Sequence, residues 1–273
     1  MSGAILAFTD GLSKLLTGSF QPGEILFFRS IFVFIPISIM VWRSGGLRTL
    51  RIVNWSGQVA RGVFAVVTSF MFMIALKHMP LADITAIMFA SPIFLTAFAP
   101  YFLGEQVGWR RWTAVAVGFC GTLLMIRPTG DTLLWPSLLA LGATILICFR
   151  DIATRRLSKT DNANSIMFCT TACVMLGGLS SALFGWRTPD LESLGLFMLT
   201  GILQGTGQYF LVSAFLLGEA VVVAPFRYLS LIWATLYGYL LFRDVPGFET
   251  LIGATIVIGS GLFIFYREAR RHR

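Results

Sequence analysis

Two charged side chains stand close together near the beginning of the sequence, inside a long apolar segment. Asp10 and Lys14 are separated by one helical turn, so a helix places them on one face. A charge inside a bilayer is costly and almost always faces protein or water. The pair therefore predicts a polar patch that binds or couples charge. The alternative interpretation is a structural pair that neutralises itself.

A single arginine, Arg227, stands well inside another apolar segment. It is about eight residues from the start of that segment, or roughly 12 Å along a helix. The planar guanidinium group suits a carboxylate or a phosphate, so we expect Arg227 to bind an anionic group of a substrate. Tyr228 and Trp233 are close enough in sequence to supply rings for stacking. The alternative is a structural arginine whose head group reaches the membrane surface.

A run of small and amide residues marks a third candidate region. Gly201 and Gly205 are one helical turn apart, a spacing that lets two membrane helices approach closely. Gln204 and Gln208 lie beside this small face and offer uncharged hydrogen-bonding groups. We interpret both glutamines as candidate substrate-binding residues. Hydrogen bonding between helices is the alternative role.

The composition explains where these residues must be held. The mean hydropathy is +0.79 and only 12% of residues are charged, whereas a soluble domain has roughly a quarter. A bilayer core is crossed by about 20 apolar residues in a helix. The chain therefore reads as a polytopic membrane protein without a soluble domain. Its predicted spans are 3–19, 23–42, 57–76, 81–103, 109–126, 133–153, 165–184, 193–213, 220–241 and 247–266.

The basic residues are distributed unevenly between the loops. One alternate set of loops, with the C-terminus, holds thirteen Lys and Arg residues, and the opposite set holds four. Cytoplasmic loops carry this excess, so both termini and the loop at 155–161 are predicted to be cytoplasmic. The loop at 186–190 is predicted to face outwards. This topology in a bacterial inner membrane explains the net charge of +8 without nucleic-acid binding.

The two halves of the chain are similar. When Ala75 is placed on Ala214, the same alignment gives the identical pairs Ser91/Ser230, Ile93/Ile232, Thr96/Thr235 and Gly108/Gly247. This alignment pairs the fourth span with the ninth and the fifth with the tenth. Because five spans is an odd number, the halves would insert with opposite topology, as in many secondary transporters. The predicted fold is an all-α membrane protein with ten transmembrane helices in two inverted five-helix repeats, residues 1–128 and 129–273.

Several short motifs follow one another in a recognisable order. They are Asp10-Gly-Leu-Ser-Lys14, Pro22-Gly-Glu24 with Arg29, Ala75-Leu76, Ser91-Pro92, Leu103-Gly104-Glu105, and Gly118 with Gly121. With these motifs the chain resembles the drug/metabolite transporter superfamily, and within it the EamA-type transporters. The resemblance implies a basket of ten helices around a central cavity and transport of small organic metabolites, often export. Ser91 completes the expected substrate-binding residues.

The second half departs from this pattern at two places. Leu231 replaces the proline, and Arg243-Asp244 replaces the Gly-Glu pair. The two halves are therefore not chemically equivalent.

Other polar or helix-breaking residues inside the predicted spans have simpler explanations. Arg29 and Arg61 lie near span ends, where a role in orientation or packing is favoured. Pro92 should free a backbone carbonyl in the fourth span.

Motifs typical of enzymes and of ATP-driven pumps are absent from the sequence. It contains no HExxH, nucleophile elbow or P-loop, and its four cysteines all fall inside predicted spans. We therefore expect neither enzymatic activity, nor a cofactor, nor a metal site. The partners expected are the lipid bilayer and a small-molecule substrate, with no nucleic acid. A coupling proton or ion and a homodimer are left open.

These observations favour a secondary transporter working by alternating access. The substrate expected is an amino-acid-like or other anionic or zwitterionic metabolite, moved outwards. One alternative is an importer of a cofactor-like or nucleoside-like metabolite. An alternative from another class is a non-transporting receptor, channel or scaffold.

Overall fold

The computed structural model of the chain describes residues 2–103, 108–126, 134–158, 160–217 and 220–271. Within these ranges, the side chains of 99, 103, 155, 212–217, 220–228, 265 and 267–271 lie outside the described part. Every regular element in the described residues is helical, which confirms the predicted all-α fold. The α-helices are α1 (Ser2–Leu16), α2 (Pro22–Arg43), α3 (Trp55–His78), α4 (Leu81–Met88), α5 (Ser91–Leu103), α6 (Trp109–Ile126), α7 (Leu134–Leu157), α8 (Ala163–Leu179), α9 (Leu191–Leu217), α10 (Ala220–Phe242) and α11 (Phe248–Arg271). Two 3₁₀ turns are found at Gly46–Leu50 and Ser180–Phe184.

All ten predicted spans coincide with described helices, and the span at 81–103 coincides with two of them, α4 and α5. Within the described residues, five helical stretches are long and apolar enough to cross a bilayer: Pro22–Arg43, Trp55–His78, Leu81–Phe98, Leu134–Thr154 and Ala163–Phe184. The described part also contains shorter apolar helices at Leu229–Phe242 and Phe248–Ile264. Ten membrane crossings stay a prediction.

Pro92 explains the break between α4 and α5. A proline has no amide proton, so it cannot donate to the carbonyl one turn earlier, here that of Met88. The first helix ends at Met88 and the second begins at Ser91, with Phe89 and Ala90 forming a turn between them. The sequence predicts a freed carbonyl in this span, and the break lies there.

Buried polar residues and an apolar exterior show what solvent the bundle is built for. Thr9 and Thr144 are fully buried. Each donates its hydroxyl proton to the carbonyl one turn earlier, at 2.8 and 2.7 Å. By contrast, Leu183 and Trp42 are 91% and 79% exposed. An exterior of large apolar side chains suits lipid, because backbone and hydroxyl groups are satisfied inside the helices.

The helices pack in pairs that recur in the two halves of the chain. α6 packs along α11, and α2 packs along α8. α1 packs against α9 and α10, while α7 packs against α3 and against α4 and α5. α2 also contacts α9, and α8 contacts α3. One hydrophobic core joins both halves, with Ile25, Met73 and Phe197 fully buried in it.

Candidate functional site

Lys14 lies near the C-terminal end of α1 and contacts the other half of the chain. Its Nζ atom is 2.7 Å from Oδ2 of Asp244, just beyond the end of α10. The same ammonium group lies 4.6 Å from the centre of the Phe242 ring. This corrects the expectation that Lys14 pairs with Asp10. The side chain of Lys14 reaches past the helix end, where α10 presents a carboxylate, and only 14% of it is exposed.

The backbone at the end of α10 presents Asp244 to Lys14. The amide of Arg243 donates to the carbonyl of Tyr239 at 3.0 Å, and the amide of Asp244 donates to that of Gly238 at 3.2 Å. The first of these bonds is typical of a helix that ends on a left-handed residue. Arg243 takes that conformation, with φ of 60°, although it has a side chain. Its guanidinium lies 5.3 Å from the Tyr239 ring.

Asp10 belongs to a different group, which we call the first polar cluster: Asp10, Ser13 and Arg29. Arg29 is buried on α2. Its Nη1 atom donates to Oγ of Ser13 on α1 at 3.4 Å, and its charge attracts that of Asp10. The opposite charges therefore come from α1 and α2 and not from one helix. The sequence favours an orienting or packing role for Arg29, and the described residues connect it to Asp10.

A second polar cluster joins the two halves of the chain: Arg61 of α3, Arg150, Asp151 and Thr154 of α7, and Thr170 of α8. Arg61 of α3 donates from Nε to Oγ1 of Thr154 on α7 at 2.7 Å and also donates to Thr170 on α8. Arg150 and Asp151 of α7 form a 3.5 Å ion pair. The charge of Arg61 is repelled by Arg150 and attracted by Asp151. The sequence assigns Arg61 only to packing or orientation.

A sequence signal for the second polar cluster exists. The segment Phe8-Thr-Asp-Gly-Leu-Ser-Lys-Leu-Leu16 aligns with Phe149-Arg-Asp-Ile-Ala-Thr-Arg-Arg-Leu157. Asp10 then corresponds to Asp151, and Ser13 to Thr154. We call this alignment the early register, and the alignment that places Ala75 on Ala214 the late register. The late register does not show this equivalence, because the two registers differ by two residues.

Contacts made by two glycines agree with these registers. Gly62 of α3 packs against Cys173 of α8, and Gly201 of α9 packs against Phe32 of α2. The late register aligns the two glycines, and the early register aligns their two neighbours. The same contact is thus made twice, each time between a helix of the first half and a helix of the second.

The same registers relate the arginines of the two clusters to threonines. Arg29 corresponds to Thr170 in the early register, and Arg61 corresponds to Thr200 in the late register. Each cluster therefore combines an aspartate, hydroxyl groups and one of these arginines. Both arginines stand in the first half of the chain, Arg29 on its second helix and Arg61 on its third.

The glutamines of α9 lie beside the close contact between α9 and α2. Gly201 and Gly205 pack against α2, which confirms the predicted close approach of two helices. Gln204 and Gln208 are half-buried. Oε1 of Gln204 is buried and has no hydrogen-bond donor among the described residues.

The remaining candidate residues lie on α5 and α10. Ser91 is buried at the start of α5, and its carbonyl accepts a hydrogen bond from Sγ of Cys148 on α7 at 3.2 Å. Trp233 is 38% exposed, and its ring stacks on Tyr237 with the centroids 6.0 Å apart. Tyr237 in turn contacts Phe8 of α1. The side chains of Arg227 and Tyr228 lie outside the described residues.

Two carboxylates join a helix turn of one half to a loop of the other. Glu24, at the start of α2, accepts the amide proton of Arg187 at 3.1 Å. Asp161, ahead of α8, accepts the amide protons of Val53 and Asn54 at 3.0 and 3.2 Å.

Asp161 also shows the balance between burial and hydrogen bonding. Burial would raise the pKa of Asp161, but hydrogen bonds from Thr160, Val53, Gln58 and Asn54 outweigh that effect. They hold the pKa of Asp161 below its ordinary value. The carboxylate therefore stays charged and keeps the turn before α8 attached to the loop before α3.

No group of three or more His, Cys, Asp or Glu side chains suited to a metal ion occurs in the described residues. The bundle has an apolar exterior and buried charged side chains, many of which form contacts between different helices. This combination defines a multi-pass membrane protein with polar sites inside its bundle.

The chain belongs to the EamA-like transporter family, which matches residues 1–127 and 134–266. This confirms the resemblance drawn from the motifs. Across its full length it is also similar to a solved structure titled "Crystal structure of protein", with a TM-score of 0.64, 20% identity and 99% of each chain covered. That similarity concerns the fold.

Three curated relatives illustrate the family. The S-adenosylmethionine uptake transporter of Rickettsia bellii is 29% identical over 96% of this chain and 89% of its own. The riboflavin transporter of Rhizobium johnstonii is 33% identical over 72% of this chain and 66% of its own. The pseudopaline exporter of Pseudomonas aeruginosa is 26% identical over 91% of this chain and 88% of its own. The chain is thus a small-metabolite transporter of the drug/metabolite transporter type and not an enzyme.

Proposed function

We propose that this protein is a secondary transporter which moves a cofactor-like organic metabolite across the bacterial inner membrane by alternating access. The metabolite combines an aromatic ring system with a charged or zwitterionic group. The observation that carries this proposal is the recurrence of the same helix contacts in the two halves. In transporters built from inverted repeats, alternating access is the movement of one repeat against the other around a fixed substrate site.

The recurrence can be followed helix by helix. In the two halves, α1 corresponds to α7, α3 to α9, and α4 with α5 to α10. The contact of α1 with α9 therefore corresponds to that of α7 with α3, and the contact of α1 with α10 to that of α7 with α4 and α5. Exchanging the halves also turns the contact of α2 with α9 into that of α8 with α3, and it leaves the pairs α2–α8 and α6–α11 unchanged. These exchanges support two inverted five-helix repeats, residues 1–128 and 129–273. The substrate then binds near the midplane between them.

The charges at the helix ends support the direction in which the chain is inserted. Thirteen Lys and Arg residues fall in the loops of one side and at the C-terminus, against four in the opposite loops. Both termini are therefore cytoplasmic in the proposed topology. The Lys14–Asp244 ion pair then lies towards the outer face, and the turn of Asp161 lies at the cytoplasmic face.

The substrate class is supported by the candidate residues and by the relatives together. Trp233 and Tyr237 offer stacked rings beside α1. The first polar cluster offers opposite charges to a zwitterion, and Arg227 offers a guanidinium group to an acid. The names of two relatives specify S-adenosylmethionine and riboflavin, both heteroaromatic compounds, of which S-adenosylmethionine also carries charged groups whereas riboflavin is neutral. Uptake of such a compound is favoured over the export of an amino-acid-like metabolite that the sequence first indicated.

Export is the second candidate, because one relative is a pseudopaline exporter. The direction is decided by flux in right-side-out and everted membrane vesicles. The labelled compounds are S-adenosylmethionine and riboflavin, and vesicles without the protein are the control. Accumulation in right-side-out vesicles, suppressed by excess unlabelled compound, is the expected result. A folded protein that moves neither compound in either orientation would contradict the proposed substrate class.

The same vesicles test energy coupling and assembly. A pH or sodium gradient imposed across the membrane should drive accumulation if the protein couples a proton or an ion to transport. The oligomeric state is measured by light scattering of the purified protein, which distinguishes a monomer from a homodimer.

A further inference from the structure

We propose that Arg61 and Arg150 form an anion-binding site for the acidic group of the cargo, where α3 packs against α7 and α8. This inference rests on the proposed transport function and adds a binding site to it. The ligand class is a carboxylate or a phosphate, the groups that a guanidinium fork binds best.

The first argument is the balance of charge. The second polar cluster contains two arginines and one aspartate, Asp151. The other titratable groups near Arg61 are the thiols of Cys169 and Cys173, and the charge of Asp161 reaches Cys169. The first polar cluster, by contrast, has one arginine and one aspartate. Arg61 and Arg150 both lie towards the cytoplasmic ends of their helices in the proposed topology, so an anion that enters from that side can neutralise the excess positive charge.

The second argument is the comparison of the two halves. In the early register, Arg150 corresponds to Thr9, which is fully buried and satisfied by the carbonyl of Ile5. The two positions differ in exposure, since Thr9 is sealed in the core whereas 32% of the Arg150 side chain is exposed. The equivalent position on α7 therefore presents a charged side chain that an incoming anion can reach. Arg150 is the residue that makes the second cluster positive.

The third argument is the state of the two guanidinium groups. Arg61 is held by the hydroxyls of Thr154 and Thr170, which fix its position but carry no charge. Nε of Arg150 is buried and has no hydrogen-bond acceptor among the described residues. Its ion pair with Asp151 is long at 3.5 Å, and 32% of its side chain is exposed. Arg150 therefore retains donors for an incoming anion, beside an arginine whose position is fixed.

The test measures anion binding to the purified full-length protein by thermal unfolding. Sodium phosphate should raise the unfolding midpoint of the parent protein more than sodium chloride at the same ionic strength, because a ligand that binds the folded state stabilises it. Arg150→Met should weaken the apparent affinity for phosphate by about tenfold, the loss of a charge-assisted hydrogen bond. The apparent phosphate affinity of Arg150→Lys, which keeps the charge, should lie between that of the parent and that of Arg150→Met.

The matched control is Arg156→Met, on the same helix. Arg156 is exposed and donates to the carbonyl of Phe102 at 2.7 Å, outside the second polar cluster. The variant Arg156→Met should therefore bind phosphate with the same apparent affinity as the parent. Equal stabilisation by phosphate and chloride in the parent, or an unchanged phosphate affinity in Arg150→Met, would overturn the proposed site. Arg61 is left intact because its bonds join three helices.

Proteoliposome uptake then connects the site to the cargo. S-adenosylmethionine and its decarboxylated form differ in the carboxylate, so the parent should prefer the former and Arg150→Met should lose that preference. A preference retained by Arg150→Met would overturn a role in cargo binding. If the parent transports neither compound, the proposed substrate class fails, whereas the phosphate titration still decides the anion site.

Discussion

The Lys14–Asp244 ion pair should stabilise one state of the transporter and should have to separate during transport. The perturbation is a cycle of three variants: Lys14→Met, Asp244→Asn and the two together. Each single substitution leaves one charge without its partner, partly buried between α1 and the end of α10. The double variant removes both charges, so it should be more stable than either single variant.

The structure gives the size of the effect. At 2.7 Å and an effective dielectric constant of 20, two unit charges attract by about 6 kcal/mol before desolvation is subtracted. Breaking a fully buried pair costs about 3–5 kcal/mol. Because 14% of Lys14 and 30% of Asp244 are exposed, each single variant should lose about 2 kcal/mol, and the double variant should lose less than about 1 kcal/mol.

The stability assay is unfolding in mixed detergent micelles, with Lys77→Met as the control because Lys77 is exposed at the end of α3. The functional assay replaces Lys14 and Asp244 by cysteines in a protein without its four native cysteines. Oxidation should stop transport, and reduction should restore it. Single variants whose losses simply add in the double variant would show that the two charges do not interact. A crosslinked protein that still transports would refute the idea that this contact must open.

Three further outcomes are expected. Asp161→Asn should lower the unfolding midpoint at pH 7, because a carboxylate with a lowered pKa stabilises the fold while it is charged. The difference between the variant and the parent should disappear as the pH falls through about 4 and below, which unfolding scans from pH 7 to pH 3 measure. Arg227→Lys should weaken the transport affinity for an anionic substrate by about tenfold, and Arg227→Met should abolish transport of anionic substrates while sparing neutral ones, as measured with matched substrates in proteoliposomes. A single cysteine at position 158 should resist an impermeant reagent in intact cells and react in everted vesicles; labelling from outside would reverse the proposed topology.

The helices could be predicted from the sequence because the bilayer imposes a simple rule on their length and polarity. Ten apolar segments coincide with described helices, and Pro92 marks the break between α4 and α5. The partner of Lys14 could not be predicted in this way. Asp10 is one helical turn away in sequence, whereas Asp244 is far away in the chain and is brought near only by the contact between α1 and α10.

The second polar cluster was missed for a related reason. Helices α1 and α2 align with α7 and α8 in the early register, but the later helices align in the late register. Equivalent positions of the second and third helices are thus two residues farther apart in the first half than in the second. A single fixed alignment finds one set of equivalent residues and loses the other, so the equivalence of Asp10 with Asp151 requires a separate alignment of the first two helices of each half.

The departure of the second half from the family pattern also gains a physical meaning. In the late register Arg243 and Asp244 stand where the first half has Gly104 and Glu105. The end of α10 needs a left-handed residue followed by an acid, since the first closes the cap and the second meets Lys14. Glycine would meet the first need without strain, whereas arginine does so at a cost of about 1 kcal/mol. The residue types thus change between the halves. Both Arg243-Asp244 and Gly104-Glu105 are nevertheless sequences that can provide a left-handed residue followed by a carboxylate.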